Sequence, residues 1–404
     1  MPNVLIFSPG FDGHRQVYVF VLAHVLEELG FKIYIAGNTK QIISNSFYVD
    51  KLKNRLENKI IDTSKYAEGG LNITPLEFQE LQDELKTDLT VFAEADHHIS
   101  LFGSQILKKK NKFRGKSVGI FLRPFYYYYQ NGLYERLRYL RYLPSRWKID
   151  DQLFHEIFLK QFSLLDVALY IDENFVAHHK YCKWLPDVFQ QYADLIIQDE
   201  KSEQRIWIEK LGEFKEKNKG RFLFFYFGTA QFRRGYDILL KMAKDGGDCF
   251  IHCGLRNKNE QFIYDTNELR ATLTKNGRLF ETDQYIADPL CIEYFFKSVS
   301  HLVLPYRNFF GSSGVMLQAL GFGIPVLASE KGIMGYRIKK YQLGITYNDK
   351  IKTSLKIQFD YFKELNLKIF EDNIKAYMSY QTCEQLKKVL INSFTGTGEP
   401  VKQP

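Results

Sequence analysis

Apolar positions along the chain fall into short continuous runs that alternate with stripes at helical spacing, and the series runs through twice. Residues 3–8 (NVLIFS) hold a short continuous apolar run, the signature of a strand buried on both faces of a parallel sheet. After the loop PGFDGHR, Tyr18, Val21, Leu22, Val25 and Leu29 recur at helical spacing, Gly30 closes the stripe, and FKIYIAG supplies the next strand. That order predicts a βαβ unit opened by a glycine loop, the start of a doubly wound sheet. Further strands are expected at 89–95, 116–122 and 166–172, with helical material between them.

Residues 199–220 are charged and break the pattern, and read as an exposed connection between domains. The second series then begins: strands at 221–228, 249–254, 277–283, 301–306 and 324–329, with a helix over 236–243. Two α/β domains in tandem are predicted, each opened by strand, glycine loop and helix. Amphipathic stripes over 353–394 predict helices that pack back across the domains. The boundaries expected are 1–200, 201–350 and 351–404.

Composition adds bounds to this picture. A chain of 404 residues suits two domains better than one core, and 45% hydrophobic with 25% charged residues describes a folded protein. The net charge of +8 favours acidic or polyanionic partners without indicating nucleic acid. Cys182, Cys249, Cys253, Cys291 and Cys383 are an odd number without paired metal spacing, which points to a reducing compartment. The N-terminus enters a strand at once, with no basic region or cleavage site, and no apolar run approaches the roughly 18 residues that span a bilayer. A cytoplasmic protein is expected, with peripheral contact at the inner face of the membrane as an option. That option rests on the basic and aromatic segment 107–148, where Leu133, Leu137 and Leu140 run beside Arg136, Arg138 and Arg141. A solvated helix face is the alternative.

The candidate chemistry sits at the loops. In FFGSSGVMLQALGFGIPVLAS (309–329), Gly311, Ser312, Ser313 and Gly314 precede a helix of about two turns beginning near Val315. A helix start carries unpaired N–H groups and the positive end of the macrodipole, so it attracts anions, phosphates above all. After the first strand of the second series, FGTAQFRRG places Gly228, Thr229, Arg233 and Arg234 before a glycine turn and helix, where the guanidinium groups suit a diphosphate. GRLFETDQYI (277–286) runs a strand into Tyr285. In the first series, Gly13 and His14 follow the first strand, Asp96 ends another, and Arg123 follows a third. His14 would meet acceptor, donor sugar or phosphate, or else belong to a plain turn. His97-His98 and His178-His179 lack a third ligand at metal spacing, and no Asp-x-Asp lies near a strand end, so no metal is expected.

This order of motifs resembles the C-terminal half of retaining GT-B glycosyltransferases, specifically glycosyltransferase family 4 (glycosyl transferases group 1). There a strand ends in glycine, a basic residue precedes the next glycine, and a Glu-x7-Glu segment containing Gly-Phe-Gly-Leu-Val leads to Gly-x-Pro-Val. The likeness is clear over 220–335, fainter over 1–40 and architectural between them. It implies a GT-B fold: two Rossmann-like doubly wound domains facing each other across a cleft, the first binding acceptor and the second the nucleotide-sugar donor. It implies transfer of a sugar, with retention, from a nucleotide-diphosphate sugar to a glycan, lipid-linked or protein acceptor. UDP-sugars are favoured and GDP-sugars come next; the donor is a substrate, and no cofactor is expected. Carried over residue by residue, Arg234 grips the diphosphate, Ser312, Ser313, Gly314 and Val315 hold the phosphates, Gln318 holds the ribose hydroxyls, and the backbone around Tyr285 reads the base. Phe310 and Gln318 stand where the family has its two glutamates, and Thr229 where it has a further basic residue, with Arg233 at hand to supply that charge. The family's N-terminal histidine has no clear counterpart; Arg123 sits about there. Alternatives on the same scaffold are a non-catalytic binding or scaffold partner and a nucleotide-sugar epimerase. Single-stranded nucleic acid binding lacks any recognisable module and is set aside. The Lys-, Asn-, Tyr- and Phe-rich composition fits an AT-rich bacterial genome, and with it polysaccharide or glycan assembly.

Overall fold

β1 (Asn3–Phe7) lies inside a seven-stranded sheet, between two parallel neighbours. Val4, Leu5 and Ile6 are wholly buried, as a strand covered on both faces requires. The structure is a computed structural model that describes residues 1–8, 14–37, 60–63, 73, 75–95, 113–122, 165–178, 182–188, 203–256, 266–286, 288–351 and 353–395. The other strands of this sheet are β2 (Lys32–Gly37), β3 (Ile60–Asp62), β4 (Leu89–Phe92), β5 (Lys116–Phe121), β6 (Val167–Tyr170) and β7 (Cys182–Trp184). Their order is β3-β2-β1-β4-β5-β6-β7, with every pair parallel. Helices α1 (His14–Glu28), α2 (Pro75–Glu84) and α3 (Glu173–His178) accompany it. Phe7, Phe78, Phe92 and Phe113 build an aromatic cluster in its core, Phe7 and Phe78 meeting edge-on at 5.0 Å. This first unit takes in residues 1–192 and 380–404.

The second unit, Ala193–Ser379, opens with helix α4 (Ile206–Lys217). Here the structure corrects the expectation of an exposed connection over 199–220. Leu211 is wholly buried, and Trp207 and Phe214 pack on Phe280. These three apolar residues lie one turn apart on a helix with six charged positions, and the density of charge hid the stripe. The strands follow as β8 (Leu223–Phe227), β9 (Cys249–Cys253), β10 (Leu279–Glu281), β11 (Leu302–Leu304), β12 (Val326–Ser329) and β13 (Gly344–Tyr347). Between them run α5 (Tyr236–Asp245), α6 (Asn267–Lys275), α7 (Pro289–Lys297), α8 (Gly314–Gly321) and α9 (Gly332–Tyr341). Beyond β13 come α10 (Ser354–Glu364) and α11 (Lys368–Met378).

Two parallel three-stranded sheets, β10-β9-β8 and β11-β12-β13, lie with β11 beside β8. The order across both is therefore β10-β9-β8-β11-β12-β13, and it reverses between β8 and β11. In open α/β sheets the crevice beyond the strand ends at such a reversal is where ligands bind. The last helix, α12 (Cys383–Thr395), belongs to the first unit, where Lys387 pairs with Glu28 of α1 and Phe394 meets Phe31 edge-on at 6.0 Å.

Candidate active site

The loops that leave β8 and β11 flank the reversal, and they carry most of the candidate residues. β8 is followed at once by Gly228, whose φ of +101° suits glycine. Gly254, at the end of β9, presses on it: a Cβ there would lie 2.2 Å from the Gly228 carbonyl oxygen. Tyr226 locks the turn that follows, its hydroxyl donating to the Thr229 carbonyl at 2.9 Å and accepting from the Gln231 N–H at 3.0 Å. Burial pushes the Tyr226 phenol well above its ordinary range, with Arg234 pulling only partly the other way, so the lock is a neutral hydroxyl. Phe232–Arg234 form one 3₁₀ turn before Gly235 admits α5. Arg233 is exposed and donates to Gln231 Oε1 at 3.0 Å. Arg234 is half-buried, and its Nη1 would lie 3.0 Å from a Cβ on Gly228. Among the described residues its guanidinium has no hydrogen-bonding or ion-pairing partner.

The loop after β11 is braced against this one. Pro305 packs on Gly235, the Arg307 N–H donates to the Arg233 carbonyl at 2.7 Å, and the Arg307 guanidinium grips Asp237 through two bonds of 2.8 and 2.7 Å. The same guanidinium lies 3.9 Å over the Phe232 ring. Such a bidentate pair fixes orientation as well as position. Farther on, Ser313 caps α8, its Oγ accepting from the Met316 N–H at 3.3 Å. The first N–H to reach back along the helix is Leu317, to the Ser313 carbonyl at 3.0 Å. The amides of Gly314 and Val315 come before it and have no partner among the described residues. One turn on, Gln318 carries a buried Oε1 with no hydrogen-bond donor, an acceptor suited to a ligand hydroxyl.

A polar network under β9 and β10 supports the first loop. His252 is wholly buried, and its Nε2–H donates to the Gly228 carbonyl at 3.0 Å while Nδ1 faces Glu281 at 3.6 Å. Glu281 also accepts from the Tyr236 hydroxyl at 2.9 Å and from Arg270 at both oxygens. Burial would raise the Glu281 carboxyl, but His252 and Arg270 outweigh it and hold the group at about 2. On the other side, the Gln204 amide clamps the turn after β10, donating to the Tyr285 carbonyl at 2.8 Å and accepting from the Asp288 N–H at 3.0 Å.

The structure thus places Gly228, Thr229, Arg233 and Arg234 on the loop after β8, and Gly311, Ser312, Ser313, Gly314, Val315 and Gln318 on the loop and helix after β11, the two loops meeting where Arg307 bonds to Arg233 and Pro305 packs on Gly235. Tyr285 lies on the separate loop beyond β10, with its carbonyl engaged by Gln204. Phe310 is buried: its carbonyl accepts from the Ile333 N–H at 3.0 Å, and a Cβ on Gly332 would lie 2.4 Å from its Cα. Gly13, Asp96 and Arg123 lie outside the described residues, as do His97, His98, His179 and the segment 107–148 apart from 113–122. His14 opens α1, but its side chain is not among those described. Among the described residues no group of three or more His, Cys, Asp or Glu side chains is arranged to hold a metal ion, and no helix is long and apolar enough to cross a membrane. Tyr226, His252, Glu281, Arg307 and Gln204 went unread in the sequence; only the place of Arg307, just past a strand end, could have marked one of them.

No family model matches the chain, and no curated protein matches it in sequence. Solved structures do match. A glycosyltransferase from Rickettsia africae ESF-5 superposes with a TM-score of 0.63 at 13% identity, over 98% of each chain. Sucrose-phosphate synthase from Thermosynechococcus elongatus gives 0.65 at 10%, over 98% of this chain and 100% of that one. HepE of Anabaena, solved in complex with UDP and glucose, gives 0.63 at 12%, again over 98% and 100%. The chain has the GT-B fold. At these identities the likeness is one of fold, with two Rossmann-like domains, and the GT-B frame places the loops described above in the second of them.

Proposed function

We propose that the chain is a glycosyltransferase that moves a sugar, with retention, from a nucleotide-diphosphate sugar to a glycan, lipid-linked or protein acceptor without a metal ion. The observation that carries this reading is Arg234: a half-buried guanidinium with no partner among the described residues, on a loop braced against the one that leads to the open amides of Gly314 and Val315. Glycosyl transfer builds oxocarbenium character at the sugar while negative charge grows on the departing diphosphate. Preorganised guanidinium and amide donors aimed at that charge stabilise the transition state. UDP, the nucleotide present in the HepE structure, is the favoured leaving group. His14, Asp96 and Arg123 are the candidates on the acceptor side, and the backbone around Tyr285 is the candidate base reader. The charge compensation a divalent cation would give is assigned to Arg233, Arg234 and the start of α8.

Two outcomes follow from this reading. A nucleoside diphosphate should raise the melting temperature by mass action, and EDTA should leave the shift unchanged. A strict need for Mg²⁺ or Mn²⁺ in that thermal-shift assay would overturn the metal-free part. Gln318→Ala should weaken donor binding by about 0.5–1.5 kcal/mol with little change in turnover, because ribose hydroxyls are the same in ground and transition states. Gln318→Glu, a charged acceptor for the same hydroxyls, should bind at least as well as the parent, and a rise in KM would remove Gln318 from the ribose.

A second reading has one observation in its favour. Phe310, where the resembled family has its first glutamate, is built into the packing against Gly332 and offers no side-chain acceptor to a sugar. A non-catalytic GT-B homologue that binds the nucleotide sugar as a partner protein would show this. Release of nucleotide from each of the common nucleotide sugars, followed with and without cell-derived acceptors, separates the two: binding without any turnover favours the partner.

A further inference from the structure

A wholly buried arginine stands behind the loop that carries the open amides. Arg337 lies on the inward stripe of α9 with Ile333, Met334 and Ile338, and none of the four is more than 1% exposed. Its Nη1 donates to Ser312 Oγ at 3.0 Å, and its guanidinium carbon lies 6.0 Å from the centre of the Tyr377 ring. Gly332 allows this approach, since α9 starts in backbone contact with Phe310 where no Cβ fits.

Taking a guanidinium out of water is costly, and the rest of this stripe is aliphatic. The position is therefore filled against the local packing preference, and Arg337 reaches from it to a loop residue two positions ahead of Gly314. A serine hydroxyl has one proton and two lone pairs. With a charged N–H occupying an acceptor position, the oxygen is polarised and its own proton is the better donor to an anion.

We infer that Arg337 is a positioning residue of the diphosphate site: acting through Ser312, it presents a hydroxyl donor to a phosphate oxygen and sets a buried positive charge behind the start of α8. The inference rests on the diphosphate reading of this loop. Pyrophosphate, which needs neither base nor sugar, is the probe. Its apparent dissociation constant is measured from thermal-shift titrations of the full chain and of Ser312→Ala, Arg337→Met and the double variant. Each single change should raise that constant roughly fivefold to twentyfold, and the double variant should be no weaker than the weaker single, because the two residues act in series. A purely structural Arg337 would lower the melting temperature without this coupling. Additive losses, or an Arg337→Met chain that binds pyrophosphate like the parent, would overturn the inference. Should Arg337→Met fail to fold, Arg337→Lys keeps the charge but loses the fork. It should then bind pyrophosphate more weakly than the parent, and parental affinity in both Arg337→Lys and Ser312→Ala would be decisive against. No shift in the parent chain would instead remove the diphosphate site itself; a parental shift with unchanged variants removes only the role of Arg337.

Discussion

Arg234→Ala is expected to cost roughly 2–4 kcal/mol of transition-state stabilisation, seen in turnover as well as in donor binding. The size follows from position and from partners. The guanidinium is half-buried beside Gly228, where a Cβ would lie 3.0 Å from its Nη1, so it is partly withdrawn from bulk water. Arg307 is engaged by Asp237 and the Phe232 carbonyl, and Arg233 is tied to Gln231, whereas Arg234 has no such partner among the described residues. Removing it therefore takes a charge from the ligand rather than from the fold, and the melting temperature of the unliganded chain should barely change. Arg234→Lys should recover part of the loss, since a point charge replaces a fork. Arg233→Ala should cost less than Arg234→Ala, because its side chain is exposed and screened. Steady-state kinetics of the three variants with the donor identified by thermal shift decide the matter. An Arg234→Ala enzyme with parental kcat would mean that the departing diphosphate lies elsewhere.

The strands and the two loops of this site were legible because their signals are local. Residues 4–7 and 222–227 are apolar without a break since both faces of a parallel strand are covered, and the glycines at 228, 235, 311 and 314 mark the turns in the sequence itself. The supports were not legible, because each joins residues far apart in the chain that only strand pairing brings together. His252 reaches the Gly228 carbonyl from the next strand, and Glu281 meets Arg270 and Tyr236 from the strand beyond. Arg337 shows a different limit. In the segment GYRIKKY it reads as one more basic surface residue beside Lys339 and Lys340, which are exposed. Only its place on the stripe of Ile333, Met334 and Ile338 marked it as interior, and a charge on such a stripe is normally a reason to doubt the stripe.

The Glu281 network should make this chain measurably acid-sensitive. Its carboxyl, held at about 2 in the folded chain, returns to the ordinary carboxylate range on unfolding. A group whose folded pKa is depressed contributes fully above its unfolded value and loses that contribution as the pH falls toward the folded one. From about pH 5 down to about pH 2, the parent chain should therefore lose about 3 kcal/mol that a Glu281→Gln chain does not lose. The side chain is only 14% exposed, so solvent screening takes little from this figure. At neutral pH the same substitution should destabilise, because Arg270, also 14% exposed, keeps its charge and loses its carboxylate. The two effects have opposite signs, so the stability curves of parent and variant should converge as the pH falls. Urea unfolding followed through Trp207, which meets Phe280 edge-on at 5.9 Å, reads the change next to Glu281 itself. Because His252 ties this network to the Gly228 carbonyl, the variant should also bind nucleoside diphosphate more weakly even where it is fully folded. Parallel stability curves from pH 6 to pH 2.5 would show that the depressed carboxyl does not reach the folding equilibrium, and parental binding in the folded variant would uncouple the network from the loop.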